Sequence, residues 1–285
     1  MRTILSGLRW GEGPRASSHA IYVSDPHSKA LWIGESGAWS VHELASPSNG
    51  LGLLPDGTLV AALMDEVTIG RWDGSKFRPY ADLRDVARGP LGDLIVDADG
   101  GLYVDDVGYA PHRGEPARPG RLAYVAPGGS PVRIAAEGID FPNGLALIDG
   151  GRTLVVAETW RQQLVAFDVA GQGKLTARRI YADLRDHGGT GGIGAQAGPR
   201  LAPDGICAAR EGGVWAATLT GQRIVRAHDG RICASVDTTP EHPVAVCVDP
   251  AGKLYATLAS TGGAELMDAV ARRTVSTRLA EISAR

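Results

Sequence analysis

The sequence predicts an all-β chain: a six-bladed β-propeller with four-stranded blades, formed as one domain over residues 1–285. Three observations carry this. One phrase recurs six times, a short polar or glycine-bearing element followed by an apolar strand, a turn and a second apolar strand. The turns are built on Asp-Gly or another glycine, as at Pro55-Asp56-Gly57, Asp99-Gly100 and Asp149-Gly150, which is the strongest short-range hairpin signal. Helical periodicity is nearly absent, which disfavours α/β folds and leaves a pair of two-sheet sandwiches as the rival architecture.

In chain order, the first copy runs from Glu12-Gly13-Pro14 into AIYVSD, the second from Asn49-Gly50 into TLVAAL, and the third from Gly92-Asp93 into GLYVDD. The fourth runs from Asn143-Gly144 into TLVVAET, the fifth from Asp204-Gly205 into GVWAATL, and the sixth from Val244-Ala245 into KLYATLA. Successive copies begin 37, 43, 51, 61 and 40 residues apart, enough chain for four short strands each. Third strands follow as ALWIGE, TIGRWDG, RLAYVAP, QLVAFDV and RIVRAHDG. A ring must also be closed, and TILSGLRW near the N-terminus is the candidate to complete the last blade beside strands near Arg272 to Leu279.

Composition narrows the function classes. Lys plus Arg number 29 against 32 Asp plus Glu, so no basic surplus exists for a phosphate backbone and no nucleic-acid partner is expected. No apolar run approaches the length of a membrane span, and Met1 to Trp10 lacks a signal-peptide core. The expectation is a soluble cytoplasmic protein with a small-molecule substrate and no membrane partner. Cys207, Cys233 and Cys247 form no CxxC pair and are expected as buried small apolar residues.

In an antiparallel meander running from axis to rim, the loop before the first strand and the loop between the second and third lie at the same end. Both line one mouth of the central channel. The residues opening the inner strands are Glu12, Asn49, Gly92, Asn143, Asp204 and Val244, and four of them carry side-chain oxygen. Such oxygens, without His or Cys, are hard ligands suited to Ca²⁺, Mg²⁺ or Mn²⁺. Turn chemistry alone also favours Asn and Asp at such places. The second set of loops brings Asp25, His27, Asp65, Glu66, Asp105, Asp106, Tyr109, His112 and Glu158 to Trp160 to the same mouth. Among these, Asp106, Tyr109, His112 and Trp160, together with Asn49, are the candidate substrate-binding residues, Asp106 and His112 being favoured by the long loop from Gly108 to Gly120. His187 and His242 have no partner spacing and are expected to be structural or solvated. Residues 187–198 (HGGTGGIGAQAG) contain a formal GxGxxG but lack the strand and helix of a dinucleotide site, and are expected to form a flap over the mouth.

With these residues in place, the chain resembles the senescence marker protein/gluconolactonase (regucalcin-like) family. The likeness runs through GEGP at 11–14, FPNGLAL at 141–147, RTLVVAET at 152–159, AFDV at 166–169 and PDGIC at 203–207. It implies a hydrolase of lactones or related esters that uses one divalent ion, calcium foremost, with magnesium, manganese or zinc as alternatives. It also implies that Glu12, Asn143 and Asp204 hold the ion, and that Asp204 or water on the ion is the catalytic base or nucleophile while the ion polarises the carbonyl. The chain departs from the family pattern at Gly92, where the family has Asn, and at Pro90, where its sugar-lactone enzymes have Arg. Both changes point to a less hydroxylated or more apolar substrate. The alternatives are a non-catalytic propeller binding a small molecule or protein, and a propeller enzyme with other chemistry on the same site.

Overall fold

The computed structural model describes residues 1–110, 113–185 and 201–283. Six four-stranded antiparallel sheets form the blades of a propeller, and each of the first five is a continuous meander. The innermost strands are Glu12–Ala16, Ser48–Leu53, Leu91–Val96, Pro142–Ile148, Pro203–Ala208 and His242–Val248. The sixth blade closes the ring: its outermost strand is the N-terminal Arg2–Leu8, paired with Ser276–Ile282. This is the closure for which TILSGLRW was the candidate, and it ties the two ends of the chain into one sheet.

The core lies between neighbouring blades. Val155, Ala157 and Leu164 of the fourth blade pack with Ile206, Ala216 and Val225 of the fifth. Second strands such as Leu59–Leu63, Leu102–Asp106 and Val214–Thr218 are buried at every residue, which is why they open as apolar runs and carry polar residues only at their mouth-side ends. The outer strands differ. Arg231–Asp237 alternates between exposed and partly buried residues, and Ala38–Glu43 carries Ser, His and Glu, because the rim has solvent on one face. Such alternation leaves no apolar run to mark those strands in the sequence.

A short helix, Leu266–Ala271, interrupts the sixth blade between its second and third strands. It is the one α-helix among the described residues, and none of their helices is long and apolar enough to cross a membrane. Cys247 is buried and Cys207 partly so, as expected, but Cys233 is exposed on the alternating rim strand, where its Sγ contacts Arg226.

Candidate active site

Every inner strand carries a bulge at its start. The pairing register slips between Ser48 and Leu51, Leu91 and Leu94, Pro142 and Leu145, Pro203 and Ile206, and Pro243 and Ala245, with a further slip between Glu12 and Arg15. A bulge inserts a residue, bends the strand and re-aims its side chain. Asn49, Gly92, Asn143, Asp204 and Val244 fall inside these bulges and Glu12 opens its own; the first four and Glu12 line one cavity, while Val244 packs with Trp10 and Leu219. By contrast, the look-alike Asp56 sits in a distal hairpin, where its carboxylate accepts from the Thr58 amide at 2.9 Å.

The structure brings Glu12, Asn49, Asn143 and Asp204 to the wall of one cavity of about 200 Å³ at the channel mouth. Glu12 accepts a hydrogen bond from the indole Nε1 of Trp10 at 2.7 Å. The Asn143 side chain lies beside Asp204 and favours its charged form. Desolvation pushes the Glu12 carboxyl well above the ordinary carboxylate range, and the neighbouring Asp204 charge pushes it further. Asp204, itself 4% exposed, is raised first by burial and then by the nearby Asp93, against the opposing Asn143 hydrogen bond. Asp93 has its own cation: Arg15 reaches across the channel to Asp93 Oδ1 at 2.9 Å. Glu12 and Asp204 have none among the described residues. Among the described residues no group of three or more His, Cys, Asp or Glu side chains is placed to hold a metal ion.

Asp105 and Thr159 are the other polar residues of the lining, and the rest is apolar, with Trp10, Met64, Phe141, Trp160, Leu219 and Met267 on the wall and Pro90 and Gly92 offering no polar side chain. Trp160 is therefore where the sequence placed it. Tyr109 stands behind the wall: it is buried, its hydroxyl accepts from Trp160 Nε1 at 2.7 Å, and its ring meets Phe141 edge-on. It fixes the aromatic wall rather than lining it. His112 and residues 187–198 lie outside the described residues.

Asp106 is a correction. It is fully buried, and its two oxygens accept from the amides of Arg88, Gly89 and Gly108 at 2.7, 2.9 and 2.9 Å. Asp25 does the same for the amides of Arg9 and Trp10, and Glu158 for that of Asp140. In three blades, then, an acid at the end of the second strand staples the loop that precedes the inner strand. Such an acid positions the mouth and does not face it. Asp106→Ala is expected to cost about 1–3 kcal/mol in chemical unfolding, from the orphaned amides; an unchanged midpoint would show the staple to be idle. His242 is likewise structural, its Nδ1 lying 2.8 Å from the Leu219 carbonyl.

Three contributors were missed from the sequence. Trp10 and Phe141 adjoin the start of inner strands, a signal available but unused, while Met267 arrives on the inserted helix, whose single turn and a half shows no usable periodicity. Asp105, which the sequence brings to the mouth without singling it out as a substrate-binding candidate, lines the cavity, buried and with Oδ1 unpartnered.

Solved structures share the fold over the whole chain. A gluconolactonase from Xanthomonas campestris, XC5397, superposes with a TM-score of 0.72 at 22% identity over 98% of this chain and 89% of that one. Regucalcin from Agrobacterium tumefaciens, described as a calcium-binding protein, gives 0.75 at 19% over 100% and 95%. A luciferin-regenerating enzyme gives 0.75 at 18% over 100% and 96%. At these identities the likeness is one of fold. No curated protein matches the sequence. The sequence model for the SMP-30/gluconolactonase/LRE-like region does match, over residues 10–262, a span that takes in the start of every inner strand and all the cavity residues up to Leu219. The chain belongs to the SMP-30/gluconolactonase/LRE-like family.

Proposed function

We propose that the chain is a divalent-metal-dependent hydrolase of lactones or related carboxylic esters, with Glu12, Asn143 and Asp204 holding the ion. The observation that carries this reading is the pair of mutually repelling carboxylates, Glu12 and Asp204, set with an amide in an apolar cavity and given no cation by the protein. Buried charges are tolerated when a counter-charge meets them. Two carboxylates and an amide are hard oxygen donors, which suits calcium first and magnesium or manganese next, and no thiol or imidazole among the described residues lines the cavity. Asn49 is on the same wall and available as a further oxygen.

When bound, the ion would supply Lewis-acid polarisation of the ester carbonyl. The chain's own residues do the remainder. Asp204, its charged form favoured by the neighbouring Asn143 side chain, accepts the proton of the attacking water. Trp10 fixes Glu12 in one rotamer. Phe141 and Trp160, rings 4.5 Å apart, hold the body of the substrate and exclude bulk water. The lining favours a substrate poor in hydroxyls, so gluconolactone is expected to be handled worse than aliphatic or aromatic lactones; efficient turnover of gluconolactone with the apolar lactones ignored would overturn that preference.

A lactone panel with and without chelator tests the reaction: hydrolysis abolished by chelation and restored by Ca²⁺ is expected, and hydrolysis indifferent to chelator would remove the ion from the mechanism. The ion should also show itself in stability. Glu12 and Asp204 have raised folded-state values, so in the ion-free protein their contribution is most favourable at low pH and is lost as pH rises above the ordinary carboxylate range of about 4. A dication reverses that loss. The gain in Tm on adding Ca²⁺ is therefore expected to be larger at about pH 8 than at about pH 5; equal gains at both would place the ion elsewhere.

A further inference from the structure

Gly92 is a glycine for a reason that lies outside its own backbone. Its φ is not in the left-handed region, so the chain conformation admits a side chain there. What bars one is Asp105: a Cβ on residue 92 would meet Asp105 Oδ1 at 2.3 Å and Oδ2 at 2.7 Å. The Asp105 carboxylate thus occupies the volume that a side chain at the third inner strand would fill, and it does so from the second strand of the same blade. Oδ2 is pinned by the Asp93 amide at 2.7 Å. Oδ1 has no partner, although the residue is fully buried and lines the cavity. A buried carboxylate oxygen left without a partner is costly, and a ligand group that reaches it recovers that cost. Asp105 belongs to no group of acids able to enclose an ion, so its free oxygen addresses what lies in the cavity beside Glu12 and Asp204.

We propose that Asp105 is a specificity-determining residue whose free Oδ1 hydrogen-bonds a single hydroxyl on an otherwise apolar lactone or ester. This rests on the hydrolase reading for the reaction, and stands apart from it for binding. A hydroxyl both donates and accepts, so it pairs with the carboxyl in either protonation state. The aromatic and aliphatic wall takes the rest of the molecule. A polyhydroxylated ring finds one partner here and leaves its other hydroxyls unpaired.

The probes are 5-phenyl-γ-butyrolactone and its 3-hydroxy and 4-hydroxy derivatives, with the three matching lactams, which resist hydrolysis, titrated by calorimetry. Wild-type protein is expected to favour one hydroxylated compound by about 10- to 100-fold in kcat/KM and in lactam affinity. Asp105→Ala should reduce that preference to within about threefold. Gly92→Asn alone drives its Cβ into Asp105 and should lose it as well. The exchange Gly92→Asn/Asp105→Gly, which moves the polar group from one strand to its neighbour without crowding, should regain most of it, and supplies the decision where the alanine variant does not fold. Equal wild-type affinity for all three lactams, or full preference retained in Asp105→Ala, or no recovery in the exchange variant, overturns the proposal. If no lactone is hydrolysed by wild-type protein, the hydrolase reading falls and the lactam titrations still decide the role of Asp105.

Discussion

Asp204→Asn is expected to lower kcat on the best lactone by about 10²- to 10⁴-fold while leaving the protein folded. Asn is isosteric and keeps one oxygen. What disappears is the charge and the capacity to accept a proton. Because that charge is buried and repelled by Asp93 and Glu12, its removal relieves the ion-free fold, so the variant's Tm without calcium should be at or above that of the wild type. Activity and stability therefore move in opposite directions, which a general weakening of the fold cannot imitate. Steady-state kinetics beside thermal unfolding checks both. Activity near the wild-type level would place the chemistry on another residue.

Arg15→Met should have the largest effect on stability, a loss of about 3–5 kcal/mol in urea unfolding. Arg15 lies on the inner strand Glu12–Ala16 and spans the channel to the third blade, where it donates to Asp93 Oδ1 at 2.9 Å and to the Leu94 carbonyl at 2.7 Å. Their side chains are 13% and 8% exposed, so the pair has little solvent screening. Removing the guanidinium leaves Asp93 charged and unpaired in a channel that already holds Glu12 and Asp204. Replacing both members, as in Arg15→Met/Asp93→Leu, leaves no uncompensated charge and is expected to recover most of the loss. A single-variant cost below about 1 kcal/mol would mark the pair as no stronger than a surface contact.

The sequence by itself determined the architecture and the inner ring. Six repeats with Gly-centred turns are local signals, each contained within some ten residues, and the second strands are buried on both faces, so their apolar runs stand out. The positions of Glu12, Asn49, Asn143 and Asp204 followed from the same register, because a repeat places equivalent residues at equivalent points of a ring. The outer strands were less legible: half-solvated, they alternate, as Arg231–Asp237 does, and carry no apolar run.

What the tertiary structure decided are the facing and pairing of side chains that lie far apart in the chain or next to each other in it. Asp105 and Asp106 are neighbours in one strand and point to opposite faces, so one of them lines the cavity while the other staples the loop before Leu91, and composition cannot say which. The Arg15–Asp93 pair joins residues 78 apart across the axis. Tyr109 is set behind Trp160 rather than beside it by a hydrogen bond between residues 51 apart. The physical reason is common to all three. Hydrophobic patterning fixes which strands form and which face is buried, but a polar side chain's role depends on the partner that satisfies it, and in a closed ring that partner is supplied by another loop or blade.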